Sequence, residues 1–392
     1  MNKGISSLLL VITLVFLAPG IAVASTGASN RYYITTNRAF WRNAMSARHV
    51  FSDGFTADLS DLQVRIAKLA GLKPIPVKKY YILSDVQPSS TPTPRMMPTQ
   101  GVPWGVSSLI GDSGKSTSQG GSGVSIAILD TGVDRGHPDL KGVIDGCFDV
   151  ADPVKAFLDN QCDDGNGHGT HMTGVISANG GINGKGIYGF APQASISAYR
   201  VCASSGVCFS DDIAVAITHA VNEGANIVLL GMGGEAQSSM ISDAIGYAAD
   251  HDVMIVAPAG NDGPYKESID WPARDSRVVS VGAIDSDDHS AEFSSRGFNE
   301  TTESYVPENG DIEFAAPGVN IESTFRDGGY AILSGSSMAA PHVVGLAALV
   351  WQRNARLEAQ ATRTYLHELS RDIGPIGDDS ATGWGVPRLP SR

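Results

Sequence analysis

The sequence predicts an α/β fold in which a doubly wound, mostly parallel sheet carries helices on both faces. Five largely apolar runs have the composition of strands that are buried on both faces. Helical stretches such as SDDIAVAITHAVNEG and SMISDAIGYAADHD alternate with them. In sheets of this kind the functional groups gather at the carboxyl ends of the strands. The five runs are VSIAILD (124–130), SISAYRV (195–201), NIVLL (226–230), VMIVAPA (253–259) and VVSVGAI (278–284).

The first 24 residues have the pattern of a secretory signal peptide. Lys3 makes the start of the chain positive, an apolar run follows at 8–18, and AVA (22–24) forms a small-residue cleavage site. The apolar run is shorter than the roughly 20 residues that a membrane-spanning helix needs. We therefore expect a secreted, extracellular protein without a membrane anchor.

Three zones are predicted after the signal peptide. Residues 25–84 have the pattern of a small α/β domain. Residues 85–102 are rich in Pro and Ser and lack apolar periodicity, so we expect an exposed linker. The alternating strands and helices occupy a large domain at 103–392.

The small domain is predicted from two strand-like segments and a helix between them. HVFSDGF (49–55) and PVKKYYIL (76–83) are rich in aromatic and β-branched residues. Between them, Ser60 and Gln63 have the spacing of a capping box at the start of the amphipathic stretch SDLQVRIAKLAG.

Composition excludes several classes of protein. The chain has 392 residues, of which 42% are hydrophobic and 18% charged, enough for one large core and a small accessory domain. The net charge is −13 and no basic stripe is present, so we expect no nucleic-acid partner. The acidity is typical of ordinary solubilising charge. We expect a monomer.

Four cysteines fit an exported protein, because disulfides persist in oxidising compartments. Their even number suggests two disulfides, and four cysteines allow three connectivities. Pairing by proximity along the chain is preferred, and free buried thiols are the alternative. A zinc site is disfavoured because the sequence has no C-x-x-C. The preferred pairs are Cys147–Cys162 and Cys202–Cys208.

Asp130 and His168 are the first two candidates for chemistry. Asp130 ends an apolar strand in AILDTGVD, a position where aspartate is commonly a turn residue. DTG also occurs in aspartic peptidases, which need two such carboxylates, but the other D-[ST]-G, at 112–114, follows no apolar strand. His168 begins a helix in GNGHGTHMTGVISA, with His171 one turn later. An H-x-x-H metal pair is the alternative, but the glutamate of a metallopeptidase motif is missing.

Asn261 and Ser337 complete a set of four. Asn261 lies in a Gly-rich turn, VAPAGNDGP, past the end of a strand. Ser337 is predicted as the first residue of a helix that runs to about Asn354, so its N–H has no intrahelical acceptor, and Pro341 cannot donate to its carbonyl group. A nucleophilic hydroxyl needs a base, a group that orients the base, and donors for the developing oxyanion. The chain has candidates for all of these roles in Asp130, His168, Ser337 and Asn261.

Three blocks in the order Asp, His, Ser resemble those of the subtilisin-type serine peptidases (subtilases). They are AILDTGVDRGHPDL, GHGTHMTGVI and SGSSMAAPHVVG, and APAGNDGP and FAAPGVNIEST match further blocks of the family. The likeness extends from VPWGVSSL (102–109) to GWGVPRL (383–389). The resemblance implies that Ser337, rather than Ser336, is the nucleophile, because Ser337 directly precedes the Met-Ala of the motif.

The resemblance assigns the remaining catalytic roles and a substrate-binding segment. His168 would act as general base and then general acid, and Asp130 would orient it. The side chain of Asn261 and the N–H of Ser337 would hold the oxyanion. The segment LLGMGGEA resembles the strand that lines the substrate cleft, although the family usually has Ser-x-Gly-Gly there. The residues predicted to bind substrate are Gly231, Gly233 and Gly234.

The resemblance also implies a propeptide, and it suggests a calcium site. Residues 25–84 stand where subtilases carry a propeptide that assists folding and inhibits the enzyme until it is cleaved. We therefore expect autocatalytic cleavage between Asp85 and Val102. Asp139 and the loop ANGGINGKGI (178–187) occupy the position of a common structural calcium site, and a plain Asn/Gly turn is the alternative, since Ca²⁺ needs about 6–8 oxygen ligands. Catalysis would need no cofactor.

The function expected from these residues is a secreted serine endopeptidase. It would hydrolyse protein or peptide substrates through an acyl-enzyme intermediate and be made as a zymogen. An α/β-hydrolase esterase would need G-x-S-x-G and the order Ser, Asp, His, whereas this chain has Gly335-Ser336-Ser337-Met338-Ala339 and its serine comes last. A non-catalytic binding protein on the same scaffold is the other alternative, and the intact set of four candidate residues argues against it.

Overall fold

The computed structural model describes residues 30–83, 94–110, 119–181, 183–298, 305–353 and 358–390. The predicted signal peptide, the two ends of the predicted small domain (25–29 and 84) and residues 85–93 of the predicted linker lie outside these ranges. The chain divides into two compact units, one of Met1–Lys78 with Pro153–Ala156 and the other of Lys79–Asp152 with Phe157–Arg392. No helix within the described ranges is both long and apolar enough to cross a membrane.

The smaller unit contains a three-stranded antiparallel sheet and two helices. Its elements are β1 (Arg31–Ile34), α1 (Ala39–Ala44), β2 (Phe55–Asp58), α2 (Asp61–Leu69) and β3 (Pro74–Pro76). The strand order is β2-β1-β3. The predicted capping box is confirmed: the side chain of Ser60 accepts from the N–H of Gln63, and the side chain of Gln63 accepts from the N–H of Ser60.

The predicted strand HVFSDGF is wrong, because the chain turns within it. Val50 and Phe55 form a single β-bridge, and the N–H of Phe51 donates to the carbonyl oxygen of Gly54. A β-carbon on Gly54 would come within 2.4 Å of the carbonyl oxygen of Ile34. This close approach of two backbone segments admits only glycine, and the strand β2 begins after the turn.

An eight-stranded sheet forms the centre of the larger unit. Its strands are β5 (Ser125–Asp130), β6 (Ile144–Asp149), β7 (Leu158–Asp159), β8 (Ser195–Arg200), β10 (Ile227–Leu230), β12 (Met254–Pro258), β13 (Val278–Ile284) and β14 (Phe314–Pro317). Their order is β14-β13-β12-β10-β5-β8-β6-β7, and every pair is parallel except β6 with β7. All five predicted apolar strands are confirmed as β5, β8, β10, β12 and β13.

Helices of the larger unit pack on this sheet in two groups. They are α3 (Trp104–Ile110), α4 (His168–Ser177), α5 (Ser210–Asn222), α6 (Ser239–Asp250), α7 (Ser336–Arg353) and α8 (Ala359–Glu368). One group contains α4 and α7, and the other contains α5 and α6. The side chains of α7 are buried from Ser336 to Ala348, which places the first turn of this helix inside the unit.

Three smaller sheets complete the larger unit. A hairpin joins β15 (Ile321–Phe325) to β16 (Gly329–Leu333), and β17 (Ser370–Arg371) pairs with β18 (Val386–Pro387). The third sheet is antiparallel, with β4 (Lys79–Ile82) between β9 (Val207–Phe209) and β11 (Met232–Gly233). Both preferred disulfides, Cys147–Cys162 and Cys202–Cys208, are confirmed.

Candidate active site

The four predicted catalytic residues lie at the carboxyl edge of the main sheet or at the start of a helix. Asp130 is the last residue of β5, and Asn261 follows the end of β12. His168 is the first residue of α4, and Ser337 lies in the first turn of α7. Asp130, His168 and Ser337 are each at most 1% exposed. The parallel strands bring these distant segments together because their carboxyl ends share one edge.

Asp130 and His168 are in direct contact. Nδ1 of His168 lies 2.8 Å from both carboxylate oxygens of Asp130. The N–H of Thr131 donates to Oδ1 of Asp130 at 2.7 Å, which holds the carboxylate in place. This contact fixes Nδ1 as the protonated nitrogen and leaves Nε2 to move a proton. Within the described ranges, Nε2 of His168 has no hydrogen-bond partner.

Asp164 positions His168 at the start of α4. One carboxylate oxygen of Asp164 accepts from the N–H of Gly167 at 2.8 Å, and the other accepts from the N–H of Thr170 at 2.9 Å. These are N–H groups that a helix start leaves without partners. Gly167 has φ of 110°, and a β-carbon there would lie 2.3 Å from the ring of Phe325. The Gly before His168 is therefore required by the backbone.

Two neighbouring serines have different partners. The hydroxyl of Ser337 donates to the carbonyl oxygen of Gly231 at 3.3 Å, so it is not hydrogen-bonded to His168 in this arrangement. The N–H and the hydroxyl of Ser336 both donate to Oδ1 of Asn261, at 2.9 and 3.0 Å. Because Oδ1 of Asn261 accepts both hydrogen bonds from Ser336, the amide NH₂ of Asn261 points away from Ser336. Ser336 thus positions Asn261, while Ser337 remains the candidate nucleophile.

Gly231 differs from Gly233 and Gly234 in what it contacts. A β-carbon on Gly231 would lie 1.7 Å from Oδ2 of Asp130, so this carboxylate occupies the space of a side chain. Gly231 therefore leaves room for the carboxylate of Asp130. Gly233 pairs with Tyr81 in the β11–β4 ladder, and the N–H of Gly234 donates to the carbonyl oxygen of Trp271.

The segment Lys79–Leu83 runs into this site. Tyr80 faces Cys208 in the ladder with β9, and the disulfide of Cys208 closes the loop that precedes this strand. The N–H of Ile82 donates to the carbonyl oxygen of Gly206 at 3.1 Å. The segment ends with the carbonyl oxygen of Leu83, which accepts from the N–H of Ser337 at 3.4 Å. A backbone carbonyl therefore points at the orphan N–H of the first turn of α7.

The side chain of Tyr80 anchors the same segment. It is fully buried, and its hydroxyl donates to the carbonyl oxygen of Ala236 at 2.7 Å. The walls around it include Ile241, Ile245 and Trp271. Burial raises the pKa of Tyr80, so the hydroxyl stays a neutral donor across the physiological range.

His171 does not form a metal pair with His168. Its Nε2 donates to the carbonyl oxygen of Ile321 at 3.0 Å, and burial lowers its pKa to about 3. His171 is therefore a neutral core histidine that ties α4 to β15. The described residues place neither histidine in a group of three metal-ligating side chains.

Asp139 belongs to a hydrogen-bonded turn. Its Oδ2 accepts from the N–H of Ile187 at 2.8 Å and from the hydroxyl of Tyr330 at 2.9 Å. Oδ1 of Asn179 accepts from the N–H of Gly181 at 3.0 Å. Calcium needs about 6–8 oxygen ligands, and one Asp139 oxygen is already bonded twice. In this arrangement the contacts are those of a hydrogen-bonded Asn/Gly turn.

Sequence reasoning missed three residues that shape the site. Asp164 gave a readable signal, since an acidic residue three positions before a Gly-His helix start is typical of capping. Ser336 gave no signal apart from its neighbour Ser337. Leu83 gave none, because its contact with α7 depends on the pairing of β4 with two strands from distant parts of the chain.

Comparison with known proteins gives one consistent family. A family model described as the subtilase family of peptidases matches residues 121–385. The chain is 34% identical to a subtilisin of Bacillus sp. (strain TA39), over 98% of this chain and 98% of that protein. It is 36% identical to subtilisin Savinase of Lederbergia lenta, over 70% of this chain and 93% of that protein.

A solved structure supports the same assignment. The fold is similar to that of sphericase, with a TM-score of 0.72 and 40% sequence identity over 74% of this chain and 99% of that one. The eight-stranded sheet with helices agrees with this likeness. The chain belongs to the subtilase family and is a serine-type endopeptidase.

Proposed function

We propose that this endopeptidase is secreted as a zymogen and works through Asp130, His168 and Ser337, with Asn261 as an oxyanion donor. The observation that carries the proposal is the hydrogen bond from the N–H of Ser337 to the carbonyl oxygen of Leu83. A peptide that ends its strand at this N–H presents a carbonyl carbon to the residue that bears the candidate nucleophile. Secretion follows from the signal-peptide pattern of residues 1–24.

The reaction would begin with a proton transfer from Ser337 to His168. Nε2 of His168, which has no other partner within the described ranges, takes the proton while Oγ bonds to the substrate carbonyl carbon. The Ser337 hydroxyl must first leave the carbonyl of Gly231 by rotating about its Cα–Cβ bond. Asp130, 2.8 Å from Nδ1, stabilises the imidazolium that forms.

Two donors would hold the negative oxygen of the tetrahedral intermediate. They are the N–H of Ser337 and the NH₂ of Asn261, whose Oδ1 is held by Ser336. When the C–N bond breaks, His168 returns its proton to the leaving amine and an acyl-serine remains. Water then attacks the ester, with His168 again taking the proton, and Ser337 is restored with a carboxylic acid as the second product.

Substrates would bind as a strand added between two edges. β4 makes antiparallel ladders with β9 on one side and β11 on the other, which is the β-augmentation mode of peptide recognition. In this mode the backbone supplies most of the affinity and pockets read alternate side chains. Tyr80 and Leu83 would occupy the fourth and first substrate positions before the cleaved bond.

Residues 25–83 would then be a propeptide bound in the manner of a substrate. The bond that follows Leu83 is the one whose carbonyl lies at Ser337. This bond lies just before the segment 85–102 in which the sequence led us to expect cleavage. While β4 remains in place, it blocks the cleft, so release of the propeptide would activate the enzyme.

We expect the first N-terminus produced by processing to be Ser84. It is measured by N-terminal sequencing and intact mass at the earliest time points after expression, beside the Ser337→Ala variant, which should keep the propeptide attached. Leu83→Asp should slow processing at least tenfold, because it puts a charge against Gly233, which lies next to Cδ1 of Leu83.

The matched control is Met97→Asp, which changes an exposed residue within the originally predicted segment. It should be processed at the rate of the parent protein. A first N-terminus between 86 and 102, with Leu83→Asp processed normally, would show that β4 does not mark the cleaved bond.

The calcium prediction at Asp139 is decided by a stability measurement in the inactive Ser337→Ala background. Asp139 is buried and accepts two hydrogen bonds. Asp139→Asn should therefore lower the free energy of unfolding by about 2 kcal/mol. From the contacts in the turn, we expect the same loss in excess calcium and in EDTA, measured by urea unfolding. Stabilisation by calcium of the parent but not of the variant would place an ion at Asp139.

A further inference from the structure

A buried carboxyl group lies beside the side chain of Leu83. The position of a β-carbon on Gly233 is 2.7 Å from Cδ1 of Leu83 and 2.8 Å from Oδ2 of Asp270. Because both distances are measured from the same point, Cδ1 of Leu83 and Oδ2 of Asp270 lie close to each other. A β-carbon on Gly260 would lie 3.0 Å from the same Oδ2. We name the space around the Leu83 side chain, bounded by Gly233, Gly260 and Asp270, the S1 pocket.

Asp270 has no positive partner in the described part of the chain. It is only 5% exposed, and no lysine or arginine there forms an ion pair with its carboxylate. Arg274 lies one turn further along the chain, but its guanidinium stacks over the ring of Phe298 at 5.0 Å. Ionised carboxylates are rarely buried without a countercharge. The pocket therefore contains a buried acid without a positive partner among the described residues.

Other acidic groups act on Asp270. Burial, together with the nearby exposed carboxylates of Asp262 and Glu235, raises the pKa of Asp270 to about 7. The Tyr80 hydroxyl is the other titratable group close by; it is neutral and donates to Ala236. Asp270 is thus mostly protonated below pH 7 and mostly ionised above it.

We propose that Asp270 is a specificity-determining residue of the S1 pocket, selecting lysine or arginine when it is ionised and an apolar side chain when it is protonated. The inference rests on the proposed function, in which Leu83 occupies the first substrate position. A lysine side chain continues two atoms beyond its δ carbon. Because Cδ1 of Leu83 and Oδ2 of Asp270 both lie within 2.8 Å of one point, those two atoms can bring the ammonium group within hydrogen-bond distance of the carboxylate.

The direction of the pH effect follows from the two protonation states. A basic side chain in the pocket gains a charge-assisted hydrogen bond above pH 7 and loses it as Asp270 takes up a proton. An apolar side chain such as Leu83 must desolvate the ionised carboxylate, so it binds better below pH 7. Release of the propeptide would accordingly become easier as the pH rises.

The test compares two peptide substrates that differ only in lysine or norleucine before the cleaved bond. The secreted enzyme cleaves each between pH 6 and pH 9, where the lysine charge is constant, and the measured quantity is the ratio of the two kcat/KM values. Any effect of pH on the catalytic steps that both substrates share cancels in the ratio. We expect the ratio of lysine to norleucine to rise roughly tenfold or more, with a midpoint near pH 7.

Two variants test whether Asp270 causes the rise of this ratio with pH. Asp270→Asn should cleave the norleucine substrate well, which shows that the variant folds, and its ratio should be low and flat across the pH range. Asp262→Asn removes a neighbouring negative charge, so its ratio should keep the step and move the midpoint to lower pH. A flat ratio in the parent enzyme, or an unchanged step in Asp270→Asn, would overturn the proposal. Failure to cleave either substrate at any pH would instead contradict the proposed function.

Discussion

Replacing Ser337 by alanine is expected to lower kcat by about 10⁶-fold, the size of effect known for subtilisin itself, a relative of this protein. In the proposed mechanism the hydroxyl of Ser337 forms the acyl-enzyme, and the residual rate would come from the oxyanion donors and substrate binding. His168→Ala should have an effect of the same order, because the hydroxyl and its base act as a unit. The measurement is single-turnover and steady-state hydrolysis of a peptide amide by purified protein.

The neighbouring serine provides a matched control. Ser336→Ala keeps the nucleophile but removes one of the two donors that hold Oδ1 of Asn261. The loss of one hydrogen bond, about 1.4 kcal/mol, corresponds to roughly a tenfold decrease in kcat. If Ser337→Ala retains near-wild-type turnover, or if Ser336→Ala is the more damaging change, the assignment of the nucleophile is wrong.

Replacing Asn261 by glycine is expected to lower kcat by about 10²–10³-fold while KM changes little. The reason is that the Asn261 NH₂ would meet the oxygen of the substrate only when that oxygen becomes negative. The magnitude is again the one known for the corresponding donor of subtilisin. Values of kcat and KM for one peptide substrate separate this loss from a loss of ground-state binding.

A second variant separates the donor role of Asn261 from a structural one. Asn261→Asp keeps an oxygen for the two donors of Ser336 but replaces the NH₂ with a carboxylate oxygen. We expect turnover at least as low as in Asn261→Gly, because the new charge repels the oxyanion. Near-normal turnover in Asn261→Asp would mean that Asn261 serves only to hold the start of α7.

The central strands could be predicted from the sequence because burial on both faces leaves an uninterrupted apolar run. Strands near the edge could not. β6 reads Ile-Asp-Gly-Cys-Phe-Asp, and its polar residues conceal it, while β14 reads Phe-Ala-Ala-Pro and contains no β-branched residue. In the smaller unit the aromatic residues of HVFSDGF favoured a strand, but the approach of Gly54 to Ile34 requires a turn.

The candidate site was predictable where chemistry demands particular residue types in short blocks. Asp130, His168, Ser337 and Asn261 each stand in such a block. Contacts that form because a loop folds back on the chain were not predictable. Asp270 enters the S1 pocket because the loop after Asn261 returns and the N–H of Asp270 donates to the carbonyl oxygen of Ala259 at 2.8 Å. Nothing in SIDWPAR reveals that return.

If substrates bind as β4 does, the position of β4 between two strands limits which proteins this enzyme attacks. A chain seated there gives up both of its backbone edges, one to β9 and one to β11. A strand inside a sheet has neither edge free, and a helix has already used its donors and acceptors. A folded target must therefore open locally over about five residues before it is cut. The susceptibility of a native protein then follows the free energy of that opening more closely than the number of suitable side chains it contains.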